Sequence, residues 1–259
     1  MNNTFRLDFY AVCAFDISKP EINIRVRYYT QSGQWTDHDS ALSTMKYPYP
    51  GTELAWLSSP WFVEDIDIDG SLIYGQNDFG VFIYDMSTQT TRTIRPNSYE
   101  AIAVVDGRYV FYDHVNWSIY RYDLVTDSMT LFIHHQSGRF LLGLEYYNSE
   151  LYELLYENPT ISLLKYDLSG QLLDSTVINR QVSRMSIQDG IAYFHAWASP
   201  REIYSYDLST HTFLQTFKAP AKDHEGIRVR NGFVYYSDFD KKAVGRFPFD
   251  ELSVYGRIQ

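Results

Sequence analysis

Asp65-Ile66-Asp67-Ile68-Asp69-Gly70-Ser71-Leu72-Ile73-Tyr74-Gly75, then Val81-Phe82-Ile83-Tyr84-Asp85-Met86-Ser87-Thr88 and Thr91-Arg92-Thr93-Ile94, is the stretch whose reading decides the fold. Its short apolar runs alternate with polar residues, as strands half-buried on a pleated surface do. Asp69-Gly70 accepts the positive φ angles of a tight hairpin, and Asp85 with Ser87 and Thr88 supplies a second turn. Four short antiparallel strands in a row follow from this reading.

Two marks then recur along the chain. The hairpin mark stands at Asp69-Gly70, Asp106-Gly107, Asn148-Ser149, Asp189-Gly190 and Asn231-Gly232, in steps of 37, 42, 41 and 42 residues. The second mark is an aromatic followed by Asp: Tyr84-Asp85, Tyr122-Asp123, Tyr166-Asp167, Tyr206-Asp207 and a degenerate Phe249-Asp250, in steps of 38, 44, 40 and 43. Both keep one period, and between them lie strand-like segments such as Ile102–Val105, Tyr109–Tyr112, Ile119–Tyr122 and Thr130–Ile133. No stretch carries apolar residues at helical spacing. A period near 40 with four strands per unit predicts an all-β chain folded as a β-propeller.

Five repeats are clear. The first forty residues predict a sixth, degenerate blade, with Phe9–Phe15 and Ile22–Tyr29 as middle strands and Trp35 opening the outer one. The expectation is therefore six four-stranded blades in a single domain over residues 1–259, with five blades and an irregular cap as the rival count. Residues 41–62 break the rhythm with Pro48, Pro50 and Pro60 among Tyr47, Tyr49, Trp56 and Trp61. They are expected to form an inter-blade loop packed on the ring.

Composition narrows the function classes. The 259 residues carry a net charge of −10 and no Lys/Arg run, so a polyanion meets repulsion and no cationic stripe; nucleic acid is an unfavourable partner. The single cysteine, Cys13, excludes an intrachain disulfide. No apolar run is long enough for a membrane span, and residues 1–20 lack the pattern of a secretory signal, so a monomeric cytoplasmic protein is expected. The chain has no glycine-rich phosphate loop, no His-Glu-x-x-His, no Gly-x-Ser-x-Gly and no Cys-x-x-Cys, and no cofactor is expected. Asp65 to Gly70 mimics the opening of a calcium loop, but the closing position falls on Gln76, and no metal site is assigned to it. Asp65, Asp67 and Asp69 share one side of an innermost strand and Glu145 adds charge in a later one. An acidic channel wall is the expectation, holding either a cation or water.

The repeat unit, a tight turn, an apolar pair with Tyr, a loop, then Tyr-Asp-Leu/Met and a small polar turn, resembles the TolB-like six-bladed propeller superfamily over residues 64–259. That resemblance implies architecture and no activity. Ile24-Arg25-Val26-Arg27-Tyr28-Tyr29 resembles a strand of the fucose-binding fungal propeller lectins, once instead of in most blades.

In a four-strand meander the first-to-second and third-to-fourth turns share one face. The longer second-to-third loops and the blade connections share the other, which is where ligands are expected. On that face Tyr47, Trp56, Trp117 and Trp197 would stack on a carbohydrate or small aromatic ligand, and Asp113, Arg180, Arg201 and Asp238 would hydrogen-bond it. The leading expectation is a non-catalytic binding propeller. One alternative is a small-molecule hydrolase, lyase or cyclase with His114, His195 or His224 as acid or base; another is a scaffold that docks a protein.

Overall fold

A computed structural model describes residues 21–24, 27–29, 35–37, 43–46, 52–54, 63–77, 80–95, 101–114, 117–197, 202–218, 224–238 and 243–249. The chain divides into two compact units, Met1–Tyr49 and Pro50–Gln259. In the first, β1 (Glu21–Ile24) pairs with β4 (Ser43–Lys46), and β2 (Arg27–Tyr29) pairs with β3 (Trp35–Asp37). These are two separate two-stranded sheets. The expected strand Phe9–Phe15 lies outside the described residues.

The second unit opens with β5 (Thr52–Leu54) and continues as four complete meanders. They are β6 (Asp65–Asp69) to β9 (Thr90–Arg95) through β7 (Leu72–Asn77) and β8 (Gly80–Asp85); β10 (Ile102–Val105) to β13 (Ser128–His134) through β11 (Tyr109–His114) and β12 (Ser118–Asp123); β14 (Phe140–Tyr147) to β17 (Leu172–Ile178) through β15 (Glu150–Glu157) and β16 (Thr160–Asp167); and β18 (Val182–Gln188) to β21 (Thr212–Lys218) through β19 (Ile191–Ala196) and β20 (Glu202–Asp207). Among the described residues the fifth blade has three strands of its own, β22 (His224–Arg230), β23 (Phe233–Asp238) and β24 (Ala243–Pro248). Its outer strand is β5, paired antiparallel through Val244↔Leu54, Gly245↔Glu53 and Arg246↔Thr52.

The propeller is therefore five-bladed, and the six-blade expectation is corrected. Burial gives the physical reason. Each blade junction holds an apolar cluster, and one of them packs Tyr235 and Val244 of the fifth blade against Ile66, Ile73 and Phe82 of the first. The ring is already closed there. Residues 41–62 are likewise not all loop, because Thr52–Leu54 from that segment completes the last blade and ties the two ends of the ring together by hydrogen bonds.

Local chemistry explains both sequence marks. At Asp106-Gly107, Asn148-Ser149, Asp189-Gly190 and Asn231-Gly232 both residues have positive φ, between 51° and 77°, as a primed two-residue turn requires. In the second mark the Asp carboxylate caps the next turn. Asp85 Oδ1 accepts from Ser87 N at 2.8 Å, Asp167 Oδ1 from Ser169 N at 2.9 Å and Gln171 N at 2.9 Å, and Asp207 Oδ1 from Ser209 N at 2.7 Å. Asp123 does the same for Val125 and also holds Arg108 at 2.9 Å. Asp65 and Gln76 face each other in the β6–β7 ladder, so the calcium-like stretch is one hairpin.

Candidate functional site

Five innermost strands crowd the ring axis, and each leaves one edge without a strand partner. Such an edge, away from water, must be satisfied by other groups. Side chains of the preceding blade do part of this: Asp65 Oδ2 accepts from Ile102 N at 3.1 Å, Asp67 Oδ2 from Val104 N at 2.7 Å, Glu145 Oε2 from Ile187 N at 3.2 Å and Ser186 Oγ from Val229 N at 2.8 Å. Arginines satisfy the carbonyls. Arg228, 0% exposed, donates through Nη1 to Met185 O at 2.8 Å and Ile227 O at 2.9 Å, and through Nη2 to Leu144 O at 3.0 Å and to Ile102 O. It also reaches Asp65 at 3.3 Å and Asp67 at 3.4 Å. One guanidinium thus touches the innermost strand of all five blades.

Two further arginines lie either side of it. Arg184 donates to Leu142 O and Ser183 O at 2.9 Å and to Glu64 O at 3.3 Å. Arg230 pairs with Glu145, lies 3.6 Å from Asp67 and donates to Ile187 O and Val229 O. The expected acidic wall is there, but the place a cation would take is filled by the chain's own guanidiniums. Burial raises the Asp65 carboxyl to about 6, because the pull of Arg228, shared with Asp67 and Glu145, and that of Arg184 do not fully offset lost hydration. Burial presses Arg228 the other way, towards neutrality, yet Asp65, Glu145 and Asp67 outweigh it and hold its pKa above the ordinary value.

Above this plug, at the face of the minimal turns, opens a cavity of about 710 Å³. Asp67 and Arg230 line its floor, Ile68, Val104, Ile187, Tyr146 and Tyr147 its walls, and Asp69, Asp106, Asn148, Asp189 and Asn231 its rim. All five blades contribute. Every rim residue is the first member of a hairpin mark, so the same positions that fold the turns also ring the opening with oxygen acceptors. Asp189 accepts one weak bond, from Gln188 Nε2 at 3.2 Å. Among the described residues, no ion pair is made by Asp69, Asp106 or Asp189, and no group of three His, Cys, Asp or Glu side chains is placed to hold a metal ion.

None of the residues singled out from sequence as ligand-binding or catalytic is among those that line this cavity. Tyr47, Trp56 and Arg201 fall outside the described residues. Asp113 and His114 end β11, Asp238 ends β23 and His224 begins β22, with their side chains outside the description. His195 sits on β19 instead of in a loop and is 1% exposed, with Nδ1 3.4 Å from Ser183 Oγ. Arg180 is exposed, its guanidinium 4.4 Å from the Tyr204 ring and 4.3 Å from Phe213. Trp117 and Trp197 are exposed on the loop-bearing face.

What sequence reasoning missed was the arginine plug and the rim. A signal for the first exists: Arg228-Val229-Arg230 alternates as Asp65-Ile66-Asp67 does, in the innermost strand of the last repeat. The rim gave none, since Asp and Asn at a primed turn are already explained by backbone conformation.

No protein-family description matches the chain, and no curated protein matches it. Solved structures do. The chain is similar to one from a nidogen/laminin complex, with TM-score 0.57 and 9% identity over 75% of this chain and 78% of that one. It is similar to the glutaminyl cyclase of Myxococcus xanthus, with TM-score 0.55 and 14% identity over 76% of this chain and 92% of that one. At such identities the likeness concerns the fold alone, and with the closed ring described above it makes this chain an all-β propeller of four-stranded antiparallel blades.

Proposed function

We propose that the protein is a non-catalytic binding propeller whose turn-face cavity takes an organic cation: a polyamine, or a lysine or arginine side chain presented by a protein partner. The observation that carries this is the charge of the lining. Asp69, Asp106 and Asp189 make no ion pair among the described residues, while Arg230, the cation of the lining, is already held by Glu145 and lies 3.6 Å from Asp67. The net charge of −10 would draw cations towards the opening.

An inorganic ion fits less well, because the carboxylates are spread over three turns of a wide rim and do not converge. An organic cation can reach several of them while laying an apolar stem against Ile68, Tyr146 and Tyr147, which are only partly buried. The volume lies in the range of small-ligand sites. A similar fold in a nidogen/laminin complex is consistent with a protein as the source of the cation.

Titration calorimetry with spermidine, agmatine and a short arginine-rich peptide tests the proposal, using Asp106→Asn with Asp189→Asn as the control. Binding weakened about tenfold or more in the double variant, about 1.4 kcal/mol, supports it. Binding of the peptide alone would identify a protein partner; binding of the free amines as well, a small ligand. If none of the three binds, or the neutralised rim binds equally well, the proposal is wrong.

A further inference from the structure

The opposite face carries an aromatic strip that the cavity does not use. Phe140 opens β14, Tyr156 lies near the end of β15, and the two are register partners. Trp197 follows β19 of the next blade. The Phe140 and Tyr156 rings are 6.3 Å apart and tilted, and Tyr156 meets Trp197 edge to face at 6.1 Å. Phe140 is 51% exposed and Trp197 53%. Leaving two such side chains half in water forgoes much of the roughly 1.5–3 kcal/mol that burying each would contribute.

Polar groups flank the strip in fixed positions. Arg139 Nη2 lies 3.3 Å from Glu157 Oε1 and 3.2 Å from Oε2, which joins the chain before Phe140 to the chain after Tyr156. Asn158 is exposed and its Oδ1 accepts the Tyr156 hydroxyl at 3.1 Å, so its amide nitrogen remains as a donor. Trp117, also exposed, immediately precedes β12, and its carbonyl accepts from His135 N at 2.8 Å where the connection from β13 to β14 begins.

We infer that this strip is a second, independent binding site, for a neutral oligosaccharide. Sugar rings present C–H faces that stack on aromatic rings, and edge hydroxyls that need planar donors and acceptors, which Arg139, Glu157 and Asn158 supply. Stacked nucleic-acid bases would suit the rings too, but a polyanion is repelled by the net charge of −10. A proline-rich peptide docks into aromatic-lined grooves, whereas this strip is bordered by a charged pair.

Calorimetry with cellotetraose, maltotetraose, chitotetraose, laminaritetraose and mannotetraose tests the inference. At least one is expected to bind, with affinity falling about tenfold or more in both Trp197→Ala and Phe140→Ala. Both side chains are exposed, and unchanged melting temperatures will show that the variants fold. The Asp106→Asn, Asp189→Asn protein is expected to bind the same sugar unchanged, which separates this site from the cavity. Binding by none of the five sugars overturns the inference, as does full affinity in Trp197→Ala or capture of a decaproline peptide in place of sugars.

Discussion

At the scale of single residues the molecule depends on Arg228. Its guanidinium is fully buried and is bonded to carbonyls of the second to fifth blades and to the Asp65 carboxylate of the first. Arg228→Met would leave Asp65, Asp67 and Glu145 buried with too little positive charge, and removing one partner of a buried ion cluster costs about 3–5 kcal/mol. Urea unfolding of this variant is expected to show that loss. Arg228→Lys keeps the charge, but an ammonium has three donors and no planar fork, so it too should unfold at lower urea. Asp65 gives a pH signature. Its folded-state carboxyl sits at about 6, above the ordinary 3.8, so the native state binds this proton more tightly than the unfolded chain does. Its contribution to stability is therefore most favourable below about 4 and declines as pH rises to about 6. Across that window the stability of wild type is expected to fall relative to that of Asp65→Asn as pH rises; a rise relative to the variant would contradict the assignment.

At the scale of elements, ring closure rests on a narrow approach. A Cβ placed on Gly226 of β22 would lie 3.0 Å from both Asp65 Cα and Ile66 N of β6, and backbone yields little. Gly226→Ala is expected to cost about 1–3 kcal/mol, the range for overpacking, and to lower the melting temperature. Gly70→Ala meets nothing within 4 Å, so it isolates the strain of a positive φ, here 59°. The Asp caps of the third-to-fourth turns behave oppositely to Asp65 in acid. Hydrogen bonds from Ser87 lower Asp85 and those from Ser209 lower Asp207, while the Arg108 bond brings Asp123 to about 2. Their support is present above the ordinary carboxylate range and is lost as pH falls below it. These turns were legible in the sequence because a primed turn or a capping Asp is a local requirement. Closure was not, since β5 pairs with β24 across most of the chain and Thr52-Glu53-Leu54 carries no mark of its own. The proline-rich surroundings of that segment read as a loop, and the strand-like first forty residues read as the missing blade.

At the scale of the whole molecule, five blades converge on a plugged axis, and the plug divides the two faces. No helix among the described residues is long and apolar enough to cross a membrane. On one face short turns ring an acidic cavity; on the other, aromatic side chains stand above the blades. The sequence placed function on the aromatic face because long loops vary there. The cavity escaped because it is assembled from five turns spaced about one repeat apart, each of which looks structural alone. Raising the salt concentration should weaken cation binding at the rim, because exposed carboxylates are screened within about 8 Å at physiological ionic strength, whereas a neutral sugar on the aromatic strip should hold its affinity. The central claim, that the turn-face cavity receives the cation, is tested most directly by mapping backbone amide shifts in an isotope-labelled sample titrated with spermidine. The account predicts perturbations gathered at Gly107, Asn148, Asp189 and Asn231, on four separate turns. Shifts confined to the opposite face, or scattered evenly over the surface carboxylates, would contradict it.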